Sequence, residues 1–137
     1  MAELGGRHAE LEARGALEPL LETLAPDPFY AFHPLGRCMQ GDEQVRRYYT
    51  QFVERFLPLR AEVEMLGQWV NETSVVQEYQ LDFEIDGVRE RHAVVGILYV
   101  DAESAALGRL RGERVYSSER FVELLTGPLF GELAPIA

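Results

Sequence analysis

The sequence predicts an α+β fold: a curved antiparallel β-sheet wrapped around a long helix, with a helical cap at its N-terminal end. Three observations carry this expectation. Two short helical patterns open the chain, a strong amphipathic helix follows at Gly41–Leu57, and from there to about Ser118 the sequence reads as long strands. A helical cap over one curved sheet makes a cone with a ligand-sized pocket in its mouth.

In the first helical pattern Leu4, His8 and Leu11 fall on one face, and Gly15 interrupts it. Leu17, Leu20, Leu21 and Leu24 then repeat the i, i+3, i+4, i+7 spacing, with Pro19 tolerable only in a first turn. Pro26-Asp27-Pro28 stops the helix, and Phe29–His33 reads as a brief aromatic strand. Pro34-Leu35-Gly36 turns the chain so that Arg37–Gln40 pairs back on it. The third helix is the best defined. Gly41 or Asp42 caps it, Glu43 complements its dipole, and Pro58 lies past its end. Val45, Tyr48, Tyr49, Phe52 and Phe56 form one buried stripe.

The sheet opens with Ala61, Val63, Met65, Gly67 and Trp69 alternating against Glu62, Glu64 and Gln68. Asp86-Gly87 between Ile85 and Val88 is the signature of a two-residue type I′ hairpin. If Ile85 pairs with Val88, paired residue numbers sum to 173 throughout, and Glu84 faces Arg89 while Asp82 faces Arg91. Opposite charges directly across two strands stabilise by roughly 0.2–1 kcal/mol each. Gln77, Tyr79, Leu81, Phe83 and Ile85 then share one face with Glu90, His92, Val94, Gly96 and Leu98. That more apolar face is placed inward; the other, apolar towards Val95–Tyr99, suits a second subunit. Asp101–Gly108 reads as a loop and Arg109–Ser118 as the last long strand, with Leu110, Gly112, Arg114, Tyr116 and Ser118 on one face. Phe121, Val122, Leu124 and Leu125 suggest a closing helical turn. The whole, 1–137, is expected to be a single domain, with its core at about 17–125, an N-terminal helix at 1–14 and a tail at 127–137.

Composition narrows the function. The net charge is -10, from 23 acidic and 13 basic residues, and every basic residue counted is an arginine. Nucleic acid and anionic membranes need a basic footprint and are not expected as partners. Without lysine there is no Schiff-base chemistry. The one cysteine, Cys38, cannot form an internal disulfide, which suits a reducing cytoplasm. No signal peptide is read at the N-terminus, and no apolar run approaches the roughly 20 residues of a membrane span. His33 and Cys38 lack a second pair of metal ligands, so neither metal nor cofactor is expected.

Gly41-Asp42-Glu43-Gln44-Val45-Arg46-Arg47-Tyr48-Tyr49 looks like a G-x-E-x-V-R-x-F/Y-Y helix start. Ser74–Tyr79 resembles a V-V-x-E-W/Y strand, and Gly112–Ser118 a closing R-x-Y-x-D strand. Together, and in this order, they resemble the nuclear transport factor 2-like superfamily, in its SnoaL-like and ketosteroid-isomerase-like branch, over roughly Leu17 to Leu125. The resemblance implies a pocket with a catalytic carboxylate, often late in the sheet. This chain departs from that pattern: Ser118 stands where the closing motif has aspartate, and Val115 is no acid.

The candidate site residues follow from the predicted faces. His92, inward and opposite Leu81, could serve as a general base near neutral pH; the plainer reading is a hydrogen-bonded core histidine. His33, beside Tyr30, could relay a proton or bind a carbonyl oxygen, or simply hydrogen-bond a loop. Arg114 and Tyr116 could clamp an anion or enolate, or Arg114 could pair with Glu78 or Glu90. Glu78 is a base only if a bulge turns it inward. Two functions are weighed. One is an acid–base enzyme (isomerase, cyclase or dehydratase) for a small, largely apolar carbonyl compound. The other is a non-catalytic, dimeric ligand-binding or accessory protein that has lost its acid. A homodimer through the outer sheet face is expected in either case.

Overall fold

The structure is a computed structural model that describes residues 1–137. Helices α1 (Ala2–Arg14) and α2 (Leu17–Leu21) precede strands β1 (Leu24–His33) and β2 (Arg37–Gln40). Helix α3 (Asp42–Gln51) continues through a π-helical turn, Phe52–Phe56, into α4 (Leu57–Leu59). Strands β3 (Arg60–Val70), β4 (Ser74–Ile85) and β5 (Val88–Tyr99) follow. Then come α5 (Ala102–Ala106), β6 (Leu110–Tyr116), α6 (Glu119–Thr126) and a two-residue β7 (Ala134–Pro135). The seven strands form one open sheet in the order β3-β4-β5-β6-β1-β2-β7.

The predicted stripe of the third helix is buried throughout: Val45, Tyr48, Tyr49, Phe52 and Phe56 are all core. The π-helical turn widens the helix where Phe52 and Phe56 stack, with ring centroids 4.9 Å apart. The sheet curls around this helix, and α6 packs Phe121, Val122 and Leu125 beside it.

The hairpin register is the predicted one. Every Cα pair from Ser74↔Tyr99 to Ile85↔Val88 obeys it, and Asp86 and Gly87 take the positive φ values, 51° and 77°, of a type I′ turn. Leu81, Phe83, Val94 and Leu98 are buried on the inward face, as expected. The charges rearrange. Arg89 turns from Glu84 to the diagonal Asp82, 2.6 Å away, and to Glu62 at 2.7 Å, while Arg91 takes the other Asp82 oxygen at 2.9 Å.

Four features depart from the sequence reading. Strand β1 pairs with β6 in parallel, so the sheet is not wholly antiparallel. Asp101–Gly108 is a capped helix rather than a loop: Asp101 and Ser104 exchange side-chain-to-backbone hydrogen bonds around α5. The tail joins the domain, with Leu129 and Leu133 buried and β7 paired to β2.

The fourth departure concerns faces, and it matters most. Strand β3 carries two bulges against β4, at Ala61 and at Leu66. Each extra residue reverses the alternation beyond it. Val63 and Met65 therefore face inward with Leu81 and Tyr79, whereas Gly67 and Trp69 face outward with Glu78 and Val76. Strand β6 breaks its alternation too. Leu110 and Val115 are both core although they are five residues apart. The break lies just before Gly112, between Leu24↔Leu110 and Phe29↔Gly112 in the pairing with β1, and a Cβ at Gly112 would collide with the backbone of Phe29. The residues beyond it are shifted in phase, which turns Glu113 and Val115 inward and sends Arg114 and Tyr116 outward.

Candidate functional site

Between α1, the π-helical turn and the inner sheet face lies a mostly apolar cavity of about 160 Å³. Phe52, Phe56, Leu81, Leu98, Phe121 and Leu125 supply the apolar walls, and His8, Glu12, Arg60, Gln77, Tyr79 and Glu113 the polar groups.

Helix α1 brings two of these groups. Its buried face carries Gly5, His8 and Leu11, and Glu12 follows His8 by one turn. Gly5 lets the helix lie close on β4, since a Cβ there would stand 2.7 Å from a Val75 methyl. Gly15, left-handed at φ 65°, ends the helix.

His8 is 1% exposed and fully engaged. Thr23 Oγ1 donates its only proton to the Leu20 carbonyl at 2.6 Å, so it accepts from His8 Nδ1, 2.7 Å away. That places a proton on Nδ1. Nε2 lies 3.1 Å from the Tyr49 hydroxyl and 3.4 Å from Glu12 Oε2. Tyr49 donates to Glu12 Oε2 at 3.2 Å, and the Tyr30 hydroxyl sits 2.6 Å from that of Tyr49. With the Tyr49 proton committed, Tyr30 donates to it. The result is a chain of phenols ending on the Glu12 carboxylate, with the His8 ring beside it.

Glu113 comes from β6, opposite Leu98 of β5. Its Oε1 occupies the space beside Gly96, 2.6 Å from where a Cβ would stand, with the Tyr79 hydroxyl 3.7 Å from the same point. Burial pushes its carboxyl well above the usual carboxylate range, and the charge of Glu12 adds to the shift. The phenols of Tyr30, Tyr49 and Tyr79 are likewise pushed up by burial, with the carboxylates contributing. Ligand-type atoms of His8, Glu12 and Glu113 lie within 4.8 Å of one another, close enough to meet on one proton or one cation.

Of the residues singled out from sequence, only Tyr30 joins this cluster. His92 does face inward, but past Phe121 at the other end of the sheet. Its Nε2 is 3.1 Å from Glu90, which Arg120 also holds at 2.9 Å. These partners hold Glu90 down at about 2, Arg120 first and His92 second. The Gly112 break explains Arg114 and Tyr116. Arg114 lies over the outward Tyr99 ring, 4.3 Å from its centroid, and the exposed Tyr116 stacks on His33 at 4.8 Å. Glu78 is exposed on the outer face between Gly67 and Val95. His92, Arg114, Tyr116, His33 and Glu78 thus border no common cavity with Tyr30.

The signals for the residues missed were partial. His8 was visible as a histidine on an apolar helical stripe with an acid one turn later. Glu113 lay in the closing motif, on what strict alternation made the outer face.

The sequence matches no protein-family profile and no curated protein. Solved structures are similar. The epoxide hydrolase/cyclase-like enzyme SalBIII, of pyran ring formation in the polyether salinomycin, superposes with a TM-score of 0.67 at 14% identity, over 86% of this chain and 90% of that one. An NTF2-like protein from Anabaena variabilis gives 0.62 at 19% identity, over 85% and 88%. A hypothetical protein with a ketosteroid isomerase-like fold from Catenulispora acidiphila, in complex with trimethylamine, gives 0.61 at 19%, over 91% and 92%. The chain has the nuclear transport factor 2-like fold. One such fold hosts many activities, so the function of this NTF2-like chain must be argued from its own cavity. No helix is long and apolar enough to cross a membrane.

Proposed function

We propose that the protein is an acid–base enzyme acting on a small, largely apolar carbonyl compound, with Glu113 and Glu12 as its working pair. The observation that carries this reading is the carboxyl pair itself: two acids converging in an apolar cavity, in different surroundings. Glu113 accepts no hydrogen bond from a cation and is held in its protonated form by burial and by Glu12. Glu12 receives the Tyr49 proton and lies beside His8. Such divergence separates an acid from a base at one pH.

In this mechanism Glu12 removes a proton from the carbon next to a carbonyl, while Glu113 donates its proton to the carbonyl oxygen. An enol forms, and reversal at a second carbon completes an isomerisation. If a leaving hydroxyl stands where that oxygen would be, the same pair dehydrates. Tyr49 and Tyr30 restore the hydrogen bond on Glu12 as its charge changes. A positioned general acid or base of this kind contributes about 10²–10⁴-fold.

The alternative, a binding protein without its acid, rested on Ser118 replacing an aspartate. Glu113 supplies a carboxyl to the cavity from five residues earlier, which removes that motive. SalBIII, described as epoxide hydrolase/cyclase-like, has the same fold and makes acid–base chemistry a reasonable use of it. The test is deuterium exchange at the α-carbons of small cyclic ketones, followed by NMR. Wild type should exceed Glu113→Gln and Glu12→Gln by at least about 10²-fold. Exchange equal in all three proteins would remove the acid–base reading.

A further inference from the structure

Arg60 is the one cation on the cavity wall. Strict alternation along β3 would send it outward with Glu62 and Glu64. The bulge at Ala61 instead pairs Arg60 with Phe83, an inward residue of β4, and so turns it to the cavity. Bulges recur beside active sites because they re-aim a single side chain in this way.

Arg60 also has no carboxylate, in a chain where acids outnumber bases by 23 to 13. Arg46, Arg47, Arg89, Arg91, Arg111 and Arg120 all hold one within 2.9 Å. The nearest β3 acid, Glu62, is drawn to Arg89 on the other face. The field of Arg60 is felt at the Tyr79 phenol, which lines the same cavity and makes no hydrogen bond within the protein. The cavity therefore holds an unpaired guanidinium and an uncommitted phenol together with Glu12 and Glu113. With Glu113 protonated, the charges of Glu12 and Arg60 balance.

The geometry points to a small apolar carboxylic acid as the cavity's ligand, its carboxylate held by Arg60 and the Tyr79 phenol. A guanidinium presents two parallel N–H donors that match a carboxylate, and a phenol adds a third donor. An apolar cavity of about 150 Å³ is enough for benzene, so this one, at about 160 Å³, takes a body of one small ring or its acyclic equal. That body lies against Phe52, Phe56 and Leu98. Whether the ligand reacts rests on the acid–base reading above; the carboxylate handle does not.

The test uses the whole protein and three probes of similar size, benzoate, its neutral isostere benzamide and the cationic benzylamine, titrated by calorimetry at low and at moderate salt. Benzoate should bind at least about 10-fold tighter than either neutral or cationic probe. Arg60→Gln should weaken benzoate by about 10- to 100-fold while leaving benzamide within about 2-fold, and Arg60→Lys should recover part of the loss. Should Arg60→Gln fold poorly by circular dichroism, the wild-type ranking and Tyr79→Phe, expected to lose several-fold for benzoate alone, decide the matter. Equal binding of benzoate and benzamide, binding of none of the probes, or preference for benzylamine would each overturn the assignment. Benzoate selectivity without exchange chemistry would leave the handle standing and remove the enzyme. Exchange chemistry without benzoate selectivity would do the reverse.

Discussion

Glu12 on α1 and Glu113 on β6 bring carboxyl oxygens within 4.8 Å of each other and of a His8 ring nitrogen, from opposite ends of the chain. Neither forms an ion pair with an arginine. The fold therefore keeps one proton in its interior, and that proton has measurable consequences.

The first consequence is a pH dependence of stability. The Glu113 carboxyl is raised above its ordinary 4.5 in the folded state, by burial first and Glu12 second. Between 4.5 and the folded value the native chain binds more protons than the unfolded chain, so this group's contribution is complete at low pH and is lost as pH rises. Glu113→Gln abolishes that slope. In urea denaturation the variant should gain on wild type as pH rises above 5; parallel curves would show that the Glu113 carboxyl is not raised by the fold.

At the acid end the sign reverses. Asp82, 5% exposed beneath Arg91 and Arg89, is held well below its usual range by those two arginines, and Glu90 is lowered to about 2 by Arg120 and His92. Depressed carboxyls stabilise above their unfolded values, near 4, and that stability drains away as pH falls through the folded ones. Wild type should lose Tm sharply between pH 4.5 and pH 2.5, and Asp82→Asn, already less stable at pH 7, should lose less over the same interval.

Two glycines on neighbouring strands should behave in opposite ways. A Cβ at Gly112 meets the Phe29 backbone, which cannot yield without parting β6 from β1. Gly112→Ala should cost at least about 3 kcal/mol in equilibrium unfolding. A Cβ at Gly96 meets only the Glu113 carboxyl, the mobile end of a side chain. Gly96→Ala should stay within about 1 kcal/mol of wild type yet lose ketone exchange, because the acid has been pushed from its place.

The outer sheet face offers a row of apolar side chains across three strands: Trp69, Val76 and Ile97, in register. Trp69 is 58% exposed. We expect this face, with Val95 and Tyr99, to be covered by a second copy of the chain over more than about 1,000 Å² in total. Sedimentation at micromolar concentration should show a dimer for wild type and a monomer for Ile97→Arg. A monomeric wild type would end the expectation.

Local chemistry made much of this legible from sequence. Asp86-Gly87 set the hairpin because its positive φ angles are a property of two adjacent residues, and alternation from that turn placed Leu81, Phe83, Val94 and Leu98 correctly. The aromatic stripe of α3 followed from helical periodicity in the same way. Alternation failed only where a strand stopped being regular. Leu66 sent Trp69 outward, Ala61 sent Arg60 inward, and Gly112 exchanged Arg114 for Glu113 at the cavity. An arginine and a tyrosine were expected to clamp the ligand at Arg114 and Tyr116; Arg60 and Tyr79 hold the corresponding places.

What the sequence determined by itself was the class of the fold, the hairpin register and the buried face of each regular element, since these depend on periodicity and turn residues a few positions apart. Only the tertiary structure decided which polar groups meet. A bulge forms where a strand must fit its neighbour, the parallel β1–β6 pairing joins distant segments, and α1 lies on β4 because Gly5 allows close approach to Val75. The site is the sum of those long-range fits, and the free energy that selects them is spread over contacts that no local pattern encodes.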